Sequence, residues 1–403
     1  MFRRKAPDNV RQVILPCQIV CKCLGLAPVF MASDLPLWKN CVNSGHLLLF
    51  MVLITRGTWN SLPLELKLDS ELGSLVVKHS NALTIIAYYI QPFLGTITSR
   101  YAAGKIRLLF DNIEIVDRQF ALLGTHNSYE GDMNIVVIST VGAFAGSIFL
   151  LIIYLIFAAG TINIEYIFET MYFNMLFSMT CVYALSVSYL LLRRFCMVNL
   201  ALSTHFPSVI PLEDGTLPKK VYNARYTEKQ HESLTKIKIV VDKLNDTTSL
   251  TNQCFALQVL YCVGVSFVIG IVCSFYLFRA VIYRNDQLAM GAINFIWYMY
   301  YLSFVLFFIA IGSRISQEGR RIGITVHKAI NFCNTSGTVI NELIIFSQQL
   351  LHHNPVITCG LFVYDWSLLY TMLGATATYL IILIQFDVSF PSLDVGNSTT
   401  SSL

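Results

Sequence analysis

The chain of 403 residues is long enough for two soluble domains, but 55% of it is hydrophobic, 13% is charged, and its mean hydropathy is +0.59. That balance excludes a soluble enzyme-like fold and selects an all-α integral membrane protein. The net charge of +4 carries meaning only through its distribution, and no nucleic-acid partner is expected.

Residues 1–40 read as a basic cytoplasmic segment in which Cys17, Cys21 and Cys23 lie close together. A C-x-C pair without a second pair is a poor zinc signal, so a packed or interfacial helix is expected and no metal. The opening Met-Phe-Arg-Arg-Lys is not followed by a compact apolar core and a small-residue cleavage site, which leaves the first span to serve as insertion signal. Residues 41–192 hold four spans: Cys41 to Thr55, short and the weakest; Asn81 to Ser99; Ile135 to Gly160; and Thr170 to Leu192. Residues 193–252 form a cytoplasmic loop, rich in Pro207, Pro211, Asp214-Gly215 and Pro218, and then an anchor helix. In that helix Leu234, Ile237, Val241 and Leu244 recur at amphipathic spacing and lead into a fifth span, Thr247 to Phe278. Its membrane part and the sixth span, Gln287 to Ser313, fill residues 253–313.

Residues 314–363 are a second cytoplasmic anchor, Ile340 to Leu351, and a connection. Leu343 to Tyr364 is uncharged, yet Gln348-Gln349, His352-His353 and Asn354-Pro355 interrupt it too often for an eighth span. The two histidines point about 100° apart on a helix, so they do not converge on a metal. Residues 364–387 form the seventh span, Trp366 to Phe386, 21 residues without a charge. A helix of that length reaches across a ~30 Å hydrocarbon core. Residues 388–403 are a tail carrying the sequon Asn397-Ser398-Thr399.

Basic residues set the orientation, because translocation leaves them in the cytoplasm. With the amino terminus inside, the four cytoplasmic segments receive six, four, nine and four of the 28 Lys and Arg. The carboxyl terminus then lies outside, which makes Asn397 the glycosylation candidate and is the reverse of a G-protein-coupled receptor. The eleven cysteines fall in spans or on the inside and are expected as thiols. No nucleophile elbow, phosphate-binding glycine loop or H-E-x-x-H occurs, so neither an enzyme nor a cofactor is expected.

The last span is apolar with one wet stripe. Thr371, Thr378 and Gln385 recur every seven residues with Gly374 and Ala375 between them. Two readings fit: close helix packing, or one wall of a pore that needs copies from several subunits. Elsewhere the spans are rich in Tyr and Trp, with Tyr154, Tyr172, Tyr276, Asn294 and Trp297 in their outer halves. Aromatic belts and packing account for most such residues singly, whereas rings with polar tips taken as a set suit a small, partly apolar organic ligand.

The wording of the last span resembles the insect gustatory receptor family, whose signature is Thr-Tyr, five apolar residues and Gln-Phe near the carboxyl terminus. Here it is Thr378-Tyr379 and Gln385-Phe386, with Thr358-Cys359-Gly360, Phe362 and Asp365 similar to the family's lead-in. The resemblance implies a tastant-gated, non-selective cation channel of four like subunits, homo- or heteromeric, in the plasma membrane of sensory neurons. It implies that the seventh helix lines the pore, with Gln385 and Phe386 near the outer constriction and Ile382 one turn inward. Tyr379 would lean on a neighbouring helix, and the anchor helices would form the central contact. It also places the tastant pocket among helices two to six, hence the outer aromatic set. Asp387, directly after the motif, is expected either as a ring of four carboxylates at the outer mouth or as a solvated helix end. The sweet-type form carries an acidic residue after Thr-Tyr, and Leu380 stands there instead, so the segment looks closer to fructose-type and bitter-type members. Rival classes are a receptor signalling through a G protein and a secondary transporter; an odd number of spans and the lack of an evident internal repeat speak against the transporter.

Overall fold

A computed structural model describes residues 7–31, 35–70, 75–125, 128–157, 164–207, 224–283, 288–332 and 336–389. Within them the chain is helical: α1 Val10–Cys23, α2 Leu37–Ser70, α3 Leu75–Leu122, α4 Tyr129–Phe157, α5 Ile164–His205, α6 Ala224–Tyr283, α7 Leu288–Phe332, α8 Gly337–His352 and α9 Trp366–Ser389. Six of these, α2, α4, α5, α6, α7 and α9, are long and apolar enough to cross a membrane. The seventh crossing is α3, which runs antiparallel to α6 through the same depth. Three polar contacts mark their register: Tyr261 Oη donates to the Ala87 carbonyl at 2.6 Å, Gln258 Nε2 to Thr98 Oγ1 at 2.6 Å, and Lys105 Nζ to Gln253 Oε1 at 3.0 Å.

The expected spans are thus the membrane parts of longer rods. At 1.5 Å per residue the 48 residues of α3 and 60 of α6 extend roughly 70 and 90 Å, far beyond a bilayer. The amphipathic run Leu234 to Leu244 is the lower part of α6, and Leu234, Ile237, Val241 and Leu244 are all buried. The run Ile340 to Leu351 becomes α8, capped at its start by Ser336, whose side chain accepts from the Val339 amide. It packs on α6 and α7 through Val339, Leu343 and Phe346.

At the centre stands α5, with 83% of its apolar window buried against α1, α3, α4, α6 and α7. Close approach is made possible by glycines: a Cβ at Gly146 of α4 would fall 2.7 Å from the Tyr300 ring, and one at Gly270 of α6 2.7 Å from the Tyr298 ring. Helix α1 packs between α3, α4 and α5, burying Cys17 and Cys21 and leaving Cys23 exposed. Its turn at Gly25 (φ 84°) reaches well into the bundle, where the Leu24 carbonyl accepts from Tyr172 Oη at 3.2 Å. The cysteine-bearing segment is therefore a packed helix, and ten cysteines of the described residues are free thiols.

Candidate functional site

The connection into α9 is built before the helix begins. Thr358 and Val363 pair across a tight turn whose Gly360 sits at φ 88°, a conformation glycine adopts without strain. The turn is clamped to α6, where Asn252 donates to the Val356 carbonyl at 2.9 Å and accepts from the Thr358 amide at 3.2 Å. It is clamped to α7 as well, where Ser316 donates to the Pro355 carbonyl at 3.2 Å. Asp365 then caps α9, its Oδ1 accepting from the amides of Ser367 at 3.0 Å and Leu368 at 3.3 Å. The Ser367 hydroxyl and these amides hold its carboxyl below the usual carboxylate range. The residues of the expected lead-in thus fix where the last helix starts and how it is tied to α6 and α7.

From that base α9 leans on α6 and α7, yet no residue of its apolar window is buried. At about 100° per residue, Thr371, Thr378, Ile382 and Gln385 share a face roughly 60° wide, and all four are exposed. The threonine hydroxyls donate back to their own helix, Thr371 to Ser367 at 2.9 Å and Thr378 to Gly374 at 3.1 Å. Their donors are spent, and what they offer outward is hydroxyl oxygen lone pairs. Phe386 is half exposed at the edge of this face. Tyr379 turns toward α6, its ring 6.2 Å from that of Phe267 in an edge-on contact, while half of the residue remains exposed.

Asp387 requires a correction. It lies about 160° around the helix from Gln385, with its side chain 8% exposed and its Oδ2 3.3 Å from Nε of Arg279 on α6. It is neither a solvated helix end nor a carboxylate free to face an axis: its charge is balanced within the subunit. Arg279 carried no signal in the sequence beyond being one of the few basic residues on the outer side.

The aromatic set is divided rather than gathered. Trp297 stacks toward Tyr301 at 6.2 Å, Tyr301 meets Phe177 at 4.6 Å and donates to Asn174 Oδ1 at 3.3 Å, and the Asn294 carbonyl accepts from Cys273 Sγ at 3.4 Å. Asn294 and Trp297 thus belong to an α5–α6–α7 seam. Tyr276 is half-buried on α6 one turn beyond Cys273. Tyr172 turns the other way, toward α1, in a second cluster with Phe173, Tyr88 and Tyr89. The Tyr154 side chain and all of Asn397 lie outside the described residues.

Two polar constellations escaped the sequence reading. Tyr300 Oη sits 2.8 Å from Ser178 Oγ and 3.2 Å from Ser147 Oγ, tying α7 to α5 and α4. Below it, the fully buried Arg194 of α5 is bonded to Asp117 of α3 and Asp132 of α4. Singly these residues look like solvated loop charges; only the packing of three helix ends brings them together.

Comparison with known proteins agrees with this architecture. The solved insect olfactory receptor OR5 from Machilis hrabei superposes with a TM-score of 0.68 at 13% identity, covering 94% of this chain and 98% of that one, which shows a shared fold. The same receptor has been solved in complex with eugenol. Among curated relatives from Drosophila melanogaster, the candidate gustatory receptor 28a is 22% identical over 384 residues, 79% of this chain and 82% of that protein. The gustatory receptor for bitter taste 66a is 27% identical over 183 residues, 43% of this chain and 34% of that protein. With candidate gustatory receptors 28b and 2a of the same insect, the chain spans 34% and 42% of their lengths at 29% and 31% identity. The model of the 7tm chemosensory receptor family matches residues 16–390, and on that match the chain belongs to this family of multi-pass membrane receptors.

Proposed function

We propose that the chain is a gustatory receptor that is itself a tastant-gated, non-selective cation channel, built of four like subunits in the plasma membrane of sensory neurons. The amino terminus lies in the cytoplasm, and α9 of each subunit lines the pore through Thr371, Thr378, Ile382, Gln385 and Phe386. One observation carries this reading: a helix apolar enough to span the bilayer has none of its apolar window buried within the subunit. A face bearing Thr, Gly and Gln is poorly suited to lipid, because polar groups there cost several kcal/mol unless partners or water reach them. Copies of the same helix around an axis supply both. Below the membrane, Ile344, Ile345 and Leu351 of α8 and Ile239 of α6 are exposed apolar residues on the two anchor helices, as a contact between subunits requires. Ile382 forms the dry ring of the closed pore, and the Gln385 amides hold a partly hydrated cation when the ring widens. The tastant is a small organic molecule, bitter compounds being the first class to test, bound by the seam at Asn294, Trp297 and Tyr276.

The test is ligand-evoked current in excised, nucleotide-free patches from cells expressing the chain, combined with single cysteines at Thr378 and Gln385. Charged thiol reagents applied in the activated state should block the current of both variants. Current that vanishes on excision would transfer the function to a G-protein pathway. Cysteines that only membrane-dissolved reagents reach would remove α9 from the conduction path.

A further inference from the structure

A cavity of about 540 Å³ opens between the first turns of α2 and the part of α3 that follows its membrane stretch. Phe30 from the chain after α1, Asn43 and Leu47 from α2, and Arg100, Arg107 and Asp111 from α3 line it. Its charges are unequal. Arg100 Nη2 meets the Gly25 carbonyl at 3.2 Å and His46 Nδ1 at 2.5 Å, but its Nε is buried without an acceptor, and no carboxylate pairs with it among the described residues. Arg107 approaches Asp111 only at 4.0 Å, and Asp111 is already held by Arg11, which also bonds Glu114 at 2.8 Å. Lys39 adds a further cation at the rim, its Nζ 5.3 Å from the Phe30 ring and 5.2 Å from the Trp38 ring. Among the described residues that line the cavity, Arg100 and Arg107 thus stand against one carboxylate, Asp111, which Arg11 already holds.

The surface outside the cavity is apolar and aromatic. Leu48 and Leu108 are exposed, and Tyr101 and Trp38 stand out at 83% and 59% exposure, the pattern of a membrane-water boundary. The cavity sits where the apolar part of α2 begins and that of α3 ends, on the side to which the basic residues assign the cytoplasm. Helix α2 packs on α3 and α5, whereas α8 and α9 pack chiefly on α6 and α7, so neither α8 nor α9 lines the cavity.

We propose that this cavity seats the headgroup of an anionic phospholipid of the cytoplasmic leaflet, its phosphate held by Arg100 and Arg107 and its acyl chains lying along Leu48, Leu108 and Tyr101. A lipid fits better than a free anion because the basic floor continues into an apolar wall that no soluble anion would use. The tastant is a poor occupant, since a neutral organic molecule leaves the guanidinium groups uncompensated. By touching the chain after α1 together with α2 and α3, the bound lipid ties the re-entering amino-terminal segment to the first two spans.

Binding is measured on the purified full-length protein in uncharged detergent micelles doped with fluorescent phosphatidylserine, with phosphatidylcholine as the neutral control. Micelles have no sides, so the result is independent of the channel reading and rests only on the cavity. Saturable binding of phosphatidylserine over phosphatidylcholine is expected. Arg100→Gln and Arg107→Gln should each weaken it about fivefold, the share of one basic residue near an anionic leaflet. Asp111→Asn, which removes a carboxylate from the cavity, should tighten it. Ser44→Trp fills the space with every charge retained and should abolish binding while the size-exclusion profile is kept, so the proposal stays testable if an arginine variant fails to fold. Equal binding of the two lipids, or wild-type binding by Ser44→Trp, would overturn it. Displacement by millimolar inorganic phosphate would reassign the cavity to a soluble anion.

Discussion

Replacing Arg194 by Met should destabilise the folded subunit more than most substitutions in the apolar core. Arg194 is fully buried, and its guanidinium donates to Asp117 at 3.0 and 3.2 Å, to Asp132 at 2.9 Å and to the Leu190 carbonyl at 3.2 Å. Asp117 and Asp132 are 5% and 1% exposed, with Tyr129 Oη bonding Asp117 at 2.9 Å and Arg193 reaching Asp132 at 3.2 Å. Removing the central cation takes away the charge that balances two desolvated carboxylates. Breaking a buried pair from one side costs about 3–5 kcal/mol, whereas replacing all the charges together is often near neutral. Arg194→Met should therefore lower the melting temperature in detergent by roughly 4–6 °C. The triple variant R194M/D117N/D132N should recover most of that loss. The assay is thermal challenge followed by size-exclusion chromatography of the tagged receptor. A shift of about 1 °C or less for Arg194→Met would refute the reasoning, as would a triple variant no better than the single one.

At the outer end, Asp387→Asn and Arg279→Gln should each cost about 1 kcal/mol, the value of a partly exposed ion pair, and the double variant little more than either. Fully additive melting shifts would show that the pair contributes nothing. On the channel reading, Asp387→Asn should also leave unitary conductance at low ionic strength unchanged, because the carboxylate lies off the conducting face; a clear drop would return it to the pore. Gly312→Ala places a Cβ 2.5 Å from the Tyr364 carbonyl oxygen, a backbone atom that cannot swing aside. Overpacking of this kind costs about 1–3 kcal/mol, and a variant as heat-stable as wild type would contradict the packing described. In the anchor, the hydrogen bond from Lys238 at 2.9 Å holds the Glu342 carboxyl below its ordinary value. A depressed carboxylate stabilises the fold above its unfolded pKa of roughly 4.3 and stops doing so as pH falls through its lower folded value. Wild type should accordingly be more heat-stable than Glu342→Gln at pH 7 and converge on it near pH 3; a pH-independent gap would remove the ionic contribution.

What could be read from the sequence followed the periodicity of the problem. Six spans were legible from length and hydropathy and the second, Asn81 to Ser99, from its charge-free run, and the spacing of Leu234, Ile237, Val241 and Leu244 revealed that α6 continues beyond its apolar part. The stripe on α9 was legible for the same reason, since Thr371, Thr378 and Gln385 are neighbours through one helix. Helix ends were less legible: α2 runs from Leu37 to Ser70, well beyond the apolar Cys41 to Thr55, because packing and hydrogen bonding extend a rod past the lipid. Pairings between distant helices were not legible at all. Arg194 meets Asp117 and Asp132 across 77 and 62 residues of chain, and Arg279 meets Asp387 across 108. Nothing in the local sequence of any of them marks a partner, and a count of basic residues sees Arg194 only as a topogenic charge. The facing of the aromatic residues was not legible for a related reason: position along a span predicts depth, but rotation about the helix decides that Tyr172 faces α1 while Trp297 faces Tyr301.

Helix α6 links the proposed site to the proposed gate, and the strength of its contacts is graded along its length. Near its base it carries the anchor contacts, then Asn245 and Asn252, which bond the connection at His353, Val356 and Thr358. Midway, Gln258 and Tyr261 bind it to α3 through Thr98, Ser99 and Ala87. Toward its outer end the described contacts with α9 include one ring edge, Phe267 on Tyr379, and the pair of Arg279 with Asp387. Contacts of those kinds are worth about 1 kcal/mol each. Moving a closed population from 1:99 to 99:1 takes about 5.5 kcal/mol, roughly 1.4 for each of four ligand sites. That share is comparable to the outer contacts of α6 with α9 and well short of the combined hydrogen bonds at its base. On the channel reading, ligand binding at the α5–α6–α7 seam therefore moves the outer half of α6 against α9 while the base holds, and the pore widens at Ile382 and Gln385 with the cytoplasmic anchor undisturbed.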